Sequence, residues 1–323
     1  MSHLPTTTLL ADATSNIWLP SQSSSVAGEV DGVFSFIFWI SMLFFVGIVG
    51  ALLYFVIRYR RQPGMAAERI VHHSTSLEIA WSVIPFLLLI VIFVVGFTTF
   101  ISMAAEPEGA YEITVVGKKW VWSFQYPNGY IDDALHVPVD RPVKLVMSSD
   151  DVIHSMFIPA FRVKRDVIPG RYRSLWFQAT EPGTFDLVCA EYCGTKHSDM
   201  MSTVVVHPSG EFEAWLEKAS NFLETMSPTE AGKTLYKRRG CAQCHSVDGS
   251  NMVGPSFYQI YGETAALSTG DTITVDENYI RESILEPQAK ARVGYRKVMP
   301  TYQGQLKDEE INAIISYIKT LKK

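Results

Sequence analysis

Cys189-Ala-Glu-Tyr-Cys193-Gly-Thr-Lys-His197-Ser-Asp-Met200 places two thiols four residues apart, an imidazole four beyond the second and a thioether three beyond that. The run follows Thr184 to Val188, a short β-type stretch, so all four donors sit on one loop at the end of a strand. Soft sulfur donors with imidazole favour copper in its lower oxidation state, with zinc as the competitor. Upstream, Asp150-Asp151-Val152-Ile153-His154 offers a second imidazole. One tetrahedral zinc would leave Met200 idle, whereas two copper ions bridged by both thiolates would use every donor. The bland alternative is a Cys189–Cys193 disulfide with two incidental histidines, the ordinary outcome in an oxidising compartment. Met201, one position off the pattern, reads as core.

Around this loop the chain is β-type. Tyr111 to Val116, Trp120 to Tyr126, Val143 to Met147, Ser174 to Phe177 and Thr203 to Val206 are short alternating or β-branched runs, punctuated by Pro127-Asn128-Gly129, Pro169-Gly170 and Pro182-Gly183. Strands at this spacing predict an antiparallel β-sandwich or barrel over residues 104–208. Pro208-Ser209-Gly210 ends it. A linker over 209–226 follows, containing a short amphipathic helix from Glu211 to Leu223.

Residues 227–323 read as a small helical domain. Ser227, Pro228 and Glu230 form a capping box for a helix running to about Arg239. Further helices are expected over Glu277 to Leu285, stopped by Pro287, and over Asp308 to Leu321, where Ile311, Ile314, Ile315, Ile318 and Leu321 make one apolar face. Cys241-Ala-Gln-Cys244-His245 is a haem-attachment signature: two thioethers tether the porphyrin and the adjacent imidazole ligates iron. A zinc knuckle, or a disulfide with a chance histidine, is the plainer alternative. Val298-Met299-Pro300-Thr301-Tyr302 resembles the distal-ligand motif of class I cytochromes c, which implies Met299 as the sixth ligand, with Met252 its rival.

The first 103 residues differ from everything after them. Val33 to Ile57 and Ile79 to Met103 contain no Asp, Glu, Lys or Arg, and each is long enough to cross a hydrocarbon core of about 30 Å. They account for a 47% hydrophobic chain with mean hydropathy +0.10. Residues 1–32 and 104–117 lack Lys and Arg, whereas the connection between the runs carries Arg58, Arg60, Arg61 and Arg69. By the positive-inside rule residues 33–103 form a two-helix transmembrane hairpin with 1–32 as an exterior segment, and both termini lie outside. The N-terminus carries no charged start followed by an apolar h-region, so no secretory signal is expected there. Net charge is −1 over residues 1–103, −6 over 104–227 and +2 over 228–323, a pattern that speaks against nucleic-acid binding.

The metal loop, with His154, resembles the CuA motif of cytochrome c oxidase subunit II, and similarly that of nitrous oxide reductase. The resemblance implies a cupredoxin-like domain in which Cys189 and Cys193 bridge two coppers, His154 and His197 each ligate one, Met200 is a weak axial ligand and Glu191 contributes its backbone carbonyl. Glu191's carboxylate would reach a magnesium ion at the interface with subunit I. Glu78-Ile-Ala-Trp81-Ser-Val-Ile-Pro85 is similar to the oxidase family's segment at the second span, which implies that Glu78 stands at a proton-pathway entrance; its plain alternative is an interfacial Glu facing headgroups. Gly117-Lys118-Lys119-Trp120-Val121-Trp122-Ser123-Phe124-Gln125-Tyr126 resembles the aromatic segment through which electrons enter, with Trp120 at the entry position; Lys118 and Lys119 depart from the polar pair expected there. Phe161 to Arg171 resembles the segment facing subunit I. Gly254-Pro255 resembles the cytochrome c segment whose Pro carbonyl accepts the proximal His proton.

The whole resembles caa-type haem-copper oxidases, whose subunit II carries a fused cytochrome c. It implies a bacterial cytoplasmic-membrane subunit with both redox domains on the exterior face. Electrons would pass from an exterior donor, a cytochrome c or another redox protein or complex, through haem c and CuA to subunit I for dioxygen reduction and proton pumping; subunits III and IV are further expected partners. The rivals are a membrane-tethered CuA and haem c carrier serving another acceptor such as a nitric oxide reductase, and a copper-storage or delivery module. A quinol oxidase subunit is disfavoured because such subunits lack the copper ligands. His3, His72, His73, His136 and His207 match no ligand position and read as loop or surface residues.

Overall fold

The computed structural model describes residues 18–61, 63–64 and 73–322. Arg69, His3, His72 and the first half of the exterior segment lie outside the described residues. Helices α1 (Ala27–Arg58) and α2 (Thr75–Ala104) contain the two apolar runs. Their most apolar windows, with hydropathies of 2.6 and 2.8, are 0% buried, so these are not core helices of a soluble domain.

Ten strands follow: β1 (Tyr111–Lys118), β2 (Val121–Gln125), β3 (Ile131–Asp132), β4 (Leu135–Pro138), β5 (Pro142–Ser149), β6 (His154–Ile158), β7 (Val163–Val167), β8 (Arg173–Gln178), β9 (Gly183–Cys189) and β10 (Met201–His207). They form two five-stranded sheets, ordered β3-β2-β1-β5-β8 and β4-β10-β9-β6-β7. β1 pairs parallel with β5 and β10 parallel with β4, so the sandwich is mixed rather than purely antiparallel. Alternation does the packing: in β5, Val143, Leu145 and Met147 are fully buried while Lys144 faces out. β6 begins at His154 and β9 ends at Cys189, with Met156 paired to Cys189, so the register of these two central strands carries the upstream imidazole to the metal loop.

The stretch after the sandwich is built onto it. α3 (Phe212–Ser220) and α4 (Phe222–Thr225) bury Phe212 and Phe222, and the Trp215 indole stacks on the His136 ring at 3.8 Å. This corrects the surface reading of His136 and His207. Both are partly buried strand residues, and His136 Nδ1 lies 2.9 Å from His207 Nε2 because β4 and β10 are adjacent. Met201 is corrected in the opposite direction. It is 59% exposed, since the side chain following the inward-facing Met200 points to the other face.

The C-terminal domain comprises α5 (Pro228–Arg238), a β-ribbon of β11 (Thr264–Ala266) and β12 (Thr272–Thr274) that the helical reading did not include, α6 (Glu277–Leu285) and α7 (Asp308–Thr320). The capping box forms as expected: Ser227 Oγ accepts from the Glu230 N–H, and the Glu230 carboxylate accepts from the Ser227 N–H. α5 crosses α7 at Gly232, where a Cβ would stand 2.0 Å from the Ala313 carbonyl oxygen. This domain packs on the sandwich through Arg238, whose Nε is 3.6 Å from Asp132 Oδ1 and whose guanidinium lies over the Tyr130 and Phe222 rings.

Candidate functional site

Two clusters of side chains able to ligate metal face one domain boundary. In the first, the Cys189 and Cys193 sulfurs are 3.9 Å apart, far beyond the roughly 2.05 Å of a disulfide. His154 Nδ1 lies 4.0 Å from Cys189 Sγ, and His197 Nδ1 lies 3.6 Å from Cys193 Sγ. Met200 Sδ is 3.7 Å from Cys193 Sγ, and the Glu191 carbonyl oxygen is 3.3 Å from Cys189 Sγ. A short helical turn, His197–Asp199, swings His197 and the buried Met200 back over the thiols. These separations exclude a direct S–S bond and suit donors directed at shared metal.

Electrostatics prepares the cluster. Burial opposes charge on Cys189, yet the hydrogen bond with His154 and the backbone N–H groups beside it hold its thiol below the ordinary range. Burial and then the neighbouring Cys189 thiolate push Cys193 above that range. His154 Nε2 donates to Asp151 Oδ1 at 2.9 Å, which leaves Nδ1 turned to the sulfurs; against the effect of burial, Asp151 raises the imidazole above its usual value. Asp151 is a supporting residue that the motif does not reveal; only its place three residues before the histidine hints at it.

In the second cluster, a short turn over Cys241–Gln243 presents both free thiols at the wall of a solvent-open crevice. His245 Nδ1 donates to the Pro255 carbonyl at 2.7 Å, so Nε2 is the nitrogen left free. The ring is wedged: a Cβ on Gly254 would stand 2.5 Å from it, and Phe257 stacks on it at 4.5 Å. Met299 lines the crevice, whereas Met252 does not. Burial raises the Cys241 thiol to about 11, raises Cys244 as well, and lowers His245. The free thiols, the oriented imidazole and the apolar walls of Ile280, Ile284, Leu306 and Ile314 fit a covalently held haem.

The clusters adjoin. Lys118 and Val121 of the sandwich line the same crevice as Cys241, His245 and Met299. Gly240, at φ +72°, presses on Val121, and a Cβ there would come within 3.1 Å of it. Trp120 is half-buried, with its indole against Gly194 of the metal loop, and it borders a second cavity shared with Lys237 and Gln243 of the C-terminal domain. The Lys196 ammonium donates to the Gln243 carbonyl across the boundary. Glu78 is remote from all of this. It lies in the first turn of α2, 3.7 Å from His73 Nδ1, and both side chains are exposed.

Comparison with known proteins agrees along the chain. Residues 12–99 match the family described as cytochrome c oxidase subunit II, transmembrane domain; residues 130–207 match its periplasmic domain; residues 229–322 match cytochrome c. Cytochrome c oxidase subunit 2 of Alkalihalophilus pseudofirmus is 33% identical over 291 residues, covering 86% of this chain and 83% of that one. The protein of the same name from Synechocystis sp. is 30% identical, over 66% of this chain and 77% of that one. Among solved structures, the periplasmic domain of subunit II of cytochrome oxidase of Bradyrhizobium japonicum is 34% identical over 36% of this chain and 99% of that one, with a TM-score of 0.35. These family matches imply CuA copper for the sandwich and haem c for the C-terminal domain, and they make subunit I a partner. The chain therefore belongs to the cytochrome c oxidase subunit II family, as a membrane-anchored electron-transfer subunit of an oxidase complex with a fused cytochrome c domain.

Proposed function

We propose that the chain takes electrons from an exterior donor at haem c, passes them to the dinuclear copper centre and delivers them to subunit I for dioxygen reduction. The observation carrying this order is the shared boundary: the crevice holding Cys241, Cys244, His245 and Met299 is closed on one side by Lys118 and Val121 of the copper domain.

The roles divide as follows. Cys241 and Cys244 would tether the haem, His245 and Met299 would ligate its iron, and the Pro255 carbonyl fixes the His245 ring. Cys189, Cys193, His154, His197, Met200 and the Glu191 carbonyl would hold the coppers, the soft thiolates and imidazoles suiting that metal. When bound, these groups supply one-electron transfer. Trp120, between the metal loop and the C-terminal domain, is the residue through which the two domains couple. The Glu191 carboxylate, which is exposed, is available to a magnesium ion at the face toward subunit I. Glu78 opens a proton pathway into that subunit, and subunits III and IV complete the assembly. The membrane is the bacterial cytoplasmic membrane, with both termini on the exterior side.

Metal and haem content of the purified chain, with its electron paramagnetic resonance spectrum, tests the reading. Two coppers per covalent haem with a delocalised mixed-valence signal is the expected result; one zinc, or a disulfide in place of metal, overturns it. In Trp120→Leu, transfer into copper slows while copper content is retained. Loss of copper in that variant would reduce Trp120 to a packing residue.

A further inference from the structure

Lys118 ends β1 and is only 4% exposed, an unusual burial for a lysine. Its Nζ donates to Gln305 Oε1 at 3.1 Å and stands 4.1 Å from the centroid of the Tyr302 ring. Both partners belong to the cytochrome domain and both are uncharged. Among the described residues no carboxylate lies within ion-pair distance of it. A buried ammonium without an ion pair is costly, so its retention points to a purpose in the docked state. Burial brings the amine down to about 8, against the distant support of Asp150, which leaves it charged at neutral pH.

Tyr302 is a rigid partner. Its hydroxyl donates to the Arg239 carbonyl at 2.6 Å and its N–H donates to the Ile284 carbonyl at 3.1 Å. It follows Met299 by three residues, and Arg239 in turn pairs with the buried Glu310 at 2.6 Å. The lysine therefore bears on the loop carrying Met299, and it does so from inside the wall of the haem crevice.

We propose that Lys118 is a positioning residue for transfer between the two domains: its buried ammonium clamps the Met299 loop onto the copper domain and keeps a positive charge at the haem crevice. The inference rests on the haem-to-copper reading above. A cation in a low-dielectric wall disfavours the more positive, oxidised state of a neighbouring redox group and so raises its reduction potential. The cation–π and hydrogen-bond contacts hold the two domains at one spacing.

The test uses the assembled oxidase carrying Lys118→Met, Lys118→Arg and Gln305→Ala. Haem potential is read by redox titration of the haem c absorption and interdomain transfer by flash-induced kinetics, with copper and haem content measured in each. Lys118→Met is expected to lower the potential and slow transfer by about tenfold, the effect of losing one strong contact from the docking equilibrium. Lys118→Arg restores the potential, and Gln305→Ala slows transfer at unchanged potential because the charge remains. An unchanged potential and rate in a fully loaded Lys118→Met complex overturns the proposal. If that variant does not assemble, a Gln305→Ala complex that transfers at the parent rate overturns the clamp. Missing haem or copper in the parent complex would instead remove the reading on which the proposal rests.

Discussion

Arg162 and Asp31 meet in a two-pronged pair, Nε to Oδ1 at 2.7 Å and Nη2 to Oδ2 at 2.9 Å, with side chains only 5% and 8% exposed. Asp31 lies in the first turns of α1 and Arg162 at the end of a turn between β6 and β7, so the pair ties the membrane hairpin to the copper domain. Arg162 also donates to the Pro159 and Pro20 carbonyls, each at 2.6 Å, and Gln22 donates to Asp31 at 2.8 Å. Removing one partner strands a buried charge, so Asp31→Ala is expected to cost about 3–5 kcal/mol. Thermal unfolding in detergent measures it, and the combined Asp31→Leu, Arg162→Met variant is expected to recover part of the loss. A parent-like melting temperature in Asp31→Ala would reduce the pair to a surface contact.

Asp151 orients His154 through a 2.9 Å hydrogen bond while its carboxylate also caps the Lys119 and Val152 N–H groups. Partners of this kind commonly govern metal affinity by about 10–100-fold. Asp151→Ala is therefore expected to weaken copper binding by that factor in a competition titration with a chelator, with the haem spectrum unaltered. Equal affinity would mean that packing against Trp122, at 5.9 Å, is sufficient to orient the ring.

The His136–His207 pair gives the copper domain an acid limit. Burial drives His136 down to about 4, with His207 and Arg238 adding to that fall and Asp132 opposing it; burial also lowers His207, against Glu211. Below its unfolded value of about 6.5 the unfolded chain binds a proton that the folded chain refuses, so stability is full above that pH and falls as pH drops toward 4. A loss of about 2–3 kcal/mol across that window is expected for His136. Denaturant unfolding of the metal-free protein at a series of pH values checks it, and His136→Gln should flatten the profile. A profile unchanged by that substitution places the titration elsewhere.

Met299→Ala is expected to open the sixth haem position to water, giving a high-spin or water-ligated spectrum and a lower potential. Its backbone carbonyl accepts from Gln288 at 3.0 Å, a contact the substitution leaves in place, so the loop should survive. An unaltered low-spin spectrum would exclude Met299 as ligand.

Much of this protein is legible before any coordinates. Uninterrupted apolar runs can only be satisfied in lipid, so the hairpin follows from composition. Donor type and spacing along a single loop mark Cys189 to Met200 as a candidate metal site, and a capping box starts α5, because these are local relations fixed by the covalent chain. Period-two alternation reveals β5 in the same way. It does not reveal β6, whose burial is nearly continuous, or the two-residue β3, because neither presents an alternating face. Asp151's bond to His154, the burial of His136 under Trp215 and the outward turn of Met201 depend on which strands become neighbours, and this is decided by packing between residues distant in sequence. The same holds for the place of Lys118. Its composition reads as an exposed charge, and only the docking of Tyr302 and Gln305, more than 180 residues away, turns it into a buried one.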